Sequence, residues 1–160
     1  MNDIILKIIP GEYENSDAIE KTVNYIYRTN QAKNLPLFCY GVWPPTYENI
    51  IKQFLKSREQ HQNPPDRFVW HFTLSFPFNS KNVSTTYFKF ADTIAEMFSS
   101  DYQVCYAFHT DTANFHFHFI VSACSFRNTI SQLDSNKMQQ YIQNIMDIAK
   151  QFQISLSCKG

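Results

Sequence analysis

The stretch that most constrains this chain is a pair of histidines one residue apart in an otherwise apolar run, His116-Phe117-His118. In an extended strand successive side chains point to opposite faces, so His116 and His118 must project together. Phe115, Phe117 and Phe119 project the other way, with Val121 following them. One face of this strand is therefore apolar enough to be core, and the other carries two imidazoles. His109 lies just before the Asp-Thr-Ala-Asn turn, whose residues 112 to 114 are poor strand formers, so an antiparallel hairpin can fold it back beside the pair. Three converging neutral imidazoles make a divalent-metal site with positions left open for substrate. On ligand type alone, Mn²⁺, Zn²⁺ and Fe²⁺ suit such a site better than Mg²⁺, which prefers oxygen donors.

The rest of the chain has to provide a frame for that site. At 160 residues it is long enough for one domain, residues 1–160, with a substantial core. Fifteen Phe and nine Tyr supply ring area for packing. Fourteen basic and fourteen acidic residues cancel, so no global positive field advertises nucleic acid, although a neutral protein can still carry a local basic groove. The four cysteines, Cys39, Cys105, Cys124 and Cys158, form no CxxC pair, which argues against a disulfide framework or zinc knuckle. No apolar run reaches the roughly 18 residues of a membrane span, and the N-terminus lacks a signal-peptide pattern. These observations predict a soluble, cytoplasmic protein.

Periodicity predicts the elements. Ile4 to Ile9, closed by Pro10-Gly11, reads as a strand. Asp17 with Glu20 reads as a capping box opening a helix that carries Ile19, Val23 and Ile26 and ends near Asn30. On that helix Tyr25 and Tyr27 are about 200° apart and cannot share a face; Tyr27 falls at the margin of the apolar stripe, and Tyr25 is the freer ring. Leu35 to Trp43 suggests an irregular strand stopped by Pro44-Pro45, and Thr46 can cap a helix reaching about His61. A strand over Arg67 to Phe76 puts Phe68, Trp70, Phe72 and Leu74 on one face, and Val69, His71, Thr73 and Ser75 on the other. Thr85 to Phe98 reads as a helix, and Tyr102 to His109 as a strand. A last helix runs from about Ile130 or Ser131 to Phe152, before an edge strand over Ile154 to Cys158.

In all three central strands the large rings gather on one face, while the face that bears histidine carries mostly small or polar residues. A sheet patterned this way has helices largely on one face and a site on the more open one. The fold class expected is α+β, with a mainly antiparallel central sheet. His71 alone reads as a packed residue, and His61, between Gln60 and Gln62, as a solvated one.

The spacing His109-x-Asp111-x-x-Asn114-x-His116-x-His118 resembles the metal motif of conjugative relaxases within the HUH endonuclease superfamily. His71-Phe-Thr-Leu-Ser75-Phe-Pro77 is similar to that family's strand ending in a Ser-Phe-Pro-like turn. Val23-Asn-Tyr25-Ile-Tyr27 is similar to the segment holding the relaxase nucleophile, and the final helix and strand fall where that domain has them. The resemblance covers most of the chain. It implies a site- and strand-specific single-stranded DNA endonuclease and strand transferase that forms a 5′-phosphotyrosine ester during mobilisation of a plasmid or integrative element. Tyr25 would be the nucleophile, with Tyr27 the alternative and Tyr141 on the last helix a third candidate. His109, His116 and His118 would hold Mg²⁺ or Mn²⁺, with Zn²⁺ possible, and Asp111 and Asn114 would support an imidazole N–H or the hairpin. The partners implied are single-stranded DNA at an origin of transfer and accessory relaxosome proteins.

Other readings stay open at this stage. The same superfamily includes rolling-circle replication initiators and small transposases, and a non-catalytic DNA-binding relative could keep both fold and metal. An unrelated three-histidine metal hydrolase is a further possibility, although no catalytic Glu or Asp stands out by spacing.

Overall fold

The structure, a computed structural model, describes residues 3–31, 35–77, 84–110 and 114–159. Six strands and four helices follow one another as β1 (Ile4–Ile8), α1 (Ala18–Tyr27), β2 (Phe38–Tyr40), α2 (Tyr47–Glu59), β3 (Val69–Ser75), α3 (Thr85–Phe98), β4 (Val104–His109), β5 (His116–Ser122), α4 (Ser135–Gln151) and β6 (Leu156–Lys159). They build one mixed sheet in the order β2-β4-β5-β3-β1-β6. Every pairing is antiparallel except β1 with β6. The α+β class and the mainly antiparallel sheet are those the sequence predicts, and β6 is the edge strand expected.

Alternation along the central strands sorts the interior into two cores. Trp70, Phe72 and Leu74 of β3, Tyr106 of β4, and Phe117 and Phe119 of β5 pack with Phe90, Ile94 and Phe98 of α3 and with Met138 and Ile145 of α4. The opposite face of the same strands offers Val69, Cys105, Ala107 and Ile120, on which Ile19, Val23 and Ile26 of α1 and Ile50 and Phe54 of α2 are packed. The segregation of rings to one face is thus as predicted, while the distribution of helices differs from the expectation. Two helices lie on each face, and the histidine face is partly roofed by α1 and α2. Its small residues leave room for those helices to approach the sheet closely.

Local chemistry explains where each helix begins. Thr46 caps α2, its Oγ1 accepting from Asn49 N at 3.1 Å, and Ser84 and Asp134 cap α3 and α4 in the same way. Asp17 does not act as predicted: its side chain makes no capping bond and instead pairs with Lys21 at 3.0 Å. At the other end α1 stops at Tyr27, earlier than periodicity suggests, because Arg28 turns left-handed at φ 53 and returns its N–H to Asn24 O. The start of α4 comes later than expected. Residues 132 and 133 are engaged by the sheet end instead, Gln132 bridging Cys124 and Leu133 O accepting from Trp70 Nε1 at 2.7 Å. His61 is another correction: it is buried, accepting from Asn63 N at Nδ1 and donating from Nε2 to Ser131 O, so it fastens the end of α2 and is not a solvated residue.

Candidate active site

The two strands that carry the histidines are neighbours, and their register decides the site. In the β4–β5 pair His109 lies directly opposite His116, and Ala107 opposite His118. Across β3–β5, Thr73 faces His118 and Ser75 faces His116. Three imidazoles therefore stand on one sheet face, among side chains too small to cover them. Ring centroids are 4.3 Å apart for His109 and His118, 4.6 Å for His116 and His118, and 5.0 Å for His109 and His116. Each ring offers one nitrogen to a common point, and these atoms lie within 4.8 Å of one another.

Hydrogen bonds show which nitrogen each ring can offer. A carbonyl only accepts, so His109 must donate from Nε2 to Ile26 O, at 2.5 Å, which leaves Nδ1 with the lone pair. By the same reasoning His116 donates from Nδ1 to Asn114 O at 3.0 Å and keeps a lone pair on Nε2. Asn114 thus acts through its main chain, while Asp111 lies outside the described residues. His118 contacts His71 through Nδ1; its Nε2 is buried and, among the described residues, has no hydrogen-bond partner. A buried ring nitrogen left unsatisfied is costly unless a ligand completes it. That orphaned atom, close to His116 Nε2 and to His109 Nδ1, which accepts from Arg28 Nη2 at 3.2 Å until an ion displaces that contact, is what a divalent metal would satisfy. The residues present therefore fit the ion.

The electrostatics point the same way. Burial, and then the nearby His109, lowers the pKa of His71 to about 4. Burial and the surrounding His109, His71 and His116 rings drive His118 well below the usual histidine range. Both rings are neutral at physiological pH, the state a metal ligand requires.

Tyr25 belongs to the last turn of α1 and stands over these histidines. Its ring meets His118 edge-on at 5.5 Å and His71 at 6.0 Å, and it remains 53% exposed. Tyr27 is placed quite differently. It is fully buried, and its hydroxyl donates to Tyr106 O at 2.8 Å. The reason is visible in retrospect: Tyr27 extends the line Ile19-Val23 by four more residues, which puts it on the buried stripe and not at its margin. Burial also pushes its phenol far above the ordinary range. Tyr141, stacked on Phe98 at 4.5 Å, packs on the other side of the sheet from the histidines.

Three residues join the site that sequence reasoning did not place there. His71 Nε2 lies 2.8 Å from His118 Nδ1, and Tyr13 Oη lies 3.0 Å from His71 Nδ1. Only the β3–β5 register makes His71 a diagonal neighbour of His118 on the same face, and no spacing within the sequence carries that pairing. Arg28, just past the end of α1, holds Nη2 3.2 Å from His109 Nδ1 and its guanidinium 5.5 Å from the centre of the Tyr25 ring. Its position three residues after Tyr25 was the available signal. A cavity of about 260 Å³ opens beside Tyr25, lined in part by Gly11, Tyr13, Thr22 and His71. Lys21, Asn24, Arg28 and Gln31 line a second pocket that also borders this tyrosine.

With this geometry in view, the comparisons with known proteins converge. The family model "Relaxase: MobA/VirD2-like, nuclease domain" matches residues 25–153. A solved structure from work on the molecular basis of vancomycin resistance transfer in Staphylococcus aureus is similar over 99% of this chain and 100% of its own, with a TM-score of 0.64 at 9% identity. At that identity the likeness concerns the fold. No curated protein matches the chain.

Proposed function

The chain belongs to the MobA/VirD2-like relaxase nuclease domains, and from that premise we propose that it cleaves and rejoins single-stranded DNA through Tyr25 in a metal-dependent reaction. A relaxase-type nuclease function follows from the family; the nucleophile, the ester and the metal requirement are the proposal. The observation that carries it is the placement of one exposed tyrosine ring against His118, on the sheet face where nitrogens of three imidazoles lie within 4.8 Å of one another.

In this reading Tyr25 Oη attacks the scissile phosphorus. The new bond is tyrosine O–P, the bond broken is P–O3′, the phenol proton passes to solvent base, and the departing 3′ oxygen takes up a proton. The products are a 5′-phosphotyrosine ester and a free 3′-OH. Because one ester replaces another, the step can run backwards and rejoin or transfer the strand. His109, His116 and His118 would hold Mg²⁺ or Mn²⁺, with Zn²⁺ a further candidate. Bound there, the ion would withdraw charge from the phosphate oxygens. Arg28 and Lys21 flank Tyr25 and would hold the neighbouring backbone phosphates, and the edge-on imidazoles keep the phenol ring from turning away. Single-stranded DNA at an origin of transfer would be the substrate, within mobilisation of a plasmid or integrative element and alongside accessory relaxosome proteins.

End-labelled single-stranded oligonucleotides spanning candidate origin sequences test this, incubated with Mn²⁺ or with EDTA. The expected result is a protein–DNA adduct retained in denaturing gels, absent with EDTA and lost in Tyr25→Phe and His118→Ala. Binding with no adduct at any such sequence, or full nicking by Tyr25→Phe, contradicts the proposal.

A further inference from the structure

The three metal-site histidines are not held in the same way. His109 and His116 donate to main-chain carbonyls, Ile26 O and Asn114 O, which can only accept. For these two rings the backbone fixes which nitrogen keeps its lone pair. For His118 the partner at Nδ1 is another imidazole, His71, whose far nitrogen meets the Tyr13 hydroxyl. All three side chains of this chain are buried.

Neutral imidazoles and a phenol can satisfy both contacts in two ways. In one, His118 Nδ1–H donates to His71 Nε2, and His71 Nδ1–H donates to Tyr13 Oη. In the other, every bond is reversed: Tyr13 donates to His71 Nδ1, His71 Nε2–H donates to His118 Nδ1, and His118 must carry its proton on Nε2. The second arrangement points an N–H at the metal position and blocks it. Only the first leaves Nε2 with a lone pair, and Nε2 is the buried atom that lacks a partner among the described residues.

We propose that His71 and Tyr13 are positioning residues that lock His118 in its Nδ1–H form and aim its Nε2 at the metal. This rests on the metal-site reading given above and adds to it how one ligand is prepared. A histidine ligand is commonly oriented by a carboxylate or a carbonyl. Here the orienting group is a neutral ring backed by a phenol, so no negative charge is added beside the phosphate that the site must attract. The same two imidazoles seat the Tyr25 ring edge-on, so the chain of bonds that prepares the ligand also supports the nucleophile.

Two measurements on the full chain decide the matter: Mn²⁺ titration calorimetry, and nitrogen-15 NMR of the histidine side chains in metal-free protein. Wild-type His118 is expected in the Nδ1–H form. His71→Leu, which removes the acceptor, should weaken Mn²⁺ binding by roughly 10- to 100-fold. His71→Gln, whose side-chain oxygen can accept from Nδ1–H, should recover most of that loss, and Tyr13→Phe should shift His118 toward a mixture of tautomers. The inference is overturned if His118 carries its proton on Nε2 in the wild type, if His71→Leu binds Mn²⁺ as tightly as wild type, or if Gln loses as much affinity as Leu. Should His71→Leu fail to fold, the wild-type tautomer and His71→Gln carry the decision. If wild-type protein binds no Mn²⁺, the metal reading falls and this inference with it; if wild type binds and His71→Leu is equal to it, the inference falls alone.

Discussion

His71 and His118 sit where a charged imidazole would be poorly solvated, and the consequence is chemical as well as structural. Neutral rings expose lone pairs, and lone pairs without protons are what bind metal. The two tyrosines of α1 show how position on one helix assigns opposite roles. Tyr25 is half exposed against the histidines, while Tyr27 is a core residue that joins α1 to β4 through Tyr106 O and touches Tyr47 of α2. Tyr27→Phe leaves a buried carbonyl short of a partner and should cost about 1–3 kcal/mol in denaturant unfolding. It should still form the covalent DNA adduct; a stable Tyr27→Phe protein without nicking would reassign the nucleophile. At this scale the sequence was informative about His109, His116 and His118, because strand alternation forces the last two to one side. It was silent about Tyr13 and His71, since their roles depend on contacts 58 and 47 residues apart in the chain.

The elements gather the site by packing more than by local propensity. Strand β2 is short, yet it is fixed to α3 because Tyr40 and Tyr106 both donate to the Asp92 carboxylate, at 2.6 and 2.7 Å. Helix α1 closes over the sheet because the small Cys105 and Ala107 side chains of β4 let Ile19, Val23 and Ile26 pack down on them and on Ile120 of β5. That closure converts the open floor expected from patterning into a roofed one, with Tyr25 and Arg28 at the roof's edge. The alternation rule reads faces correctly but contains nothing about which helix returns to which face. Capping separates real from apparent signals in the same manner. Thr46→Ala removes an observed cap of α2 and should cost about 1 kcal/mol. Asp17→Ala removes only an exposed ion pair, and a few tenths of a kcal/mol is the expected loss. Thermal unfolding of both variants checks this, and equal destabilisation would mean that Asp17 does cap α1 in solution.

At the scale of the whole molecule the balance of fourteen basic and fourteen acidic residues sets how DNA can be held. Two cations, Lys21 and Arg28, lie beside Tyr25, and a net charge of zero adds no overall positive field to them. If those two carry the phosphate contacts, single-strand affinity should fall with salt at a log–log slope of about −1.4. A slope steeper than about −4 in fluorescence anisotropy would reveal a basic groove beyond those two side chains. The proposed step itself is transfer of the phosphate to Tyr25 on the histidine face. Trypsin cuts after Lys21 and Arg28, so one peptide, residues 22–28, contains both Tyr25 and Tyr27. Fragmentation mass spectrometry of the DNA–peptide adduct formed with Mn²⁺ can therefore distinguish them directly. Transfer to Tyr25 puts a nucleotide mass on that residue and none on Tyr27. An adduct on Tyr27, on Tyr141, or on any residue outside that peptide would contradict it.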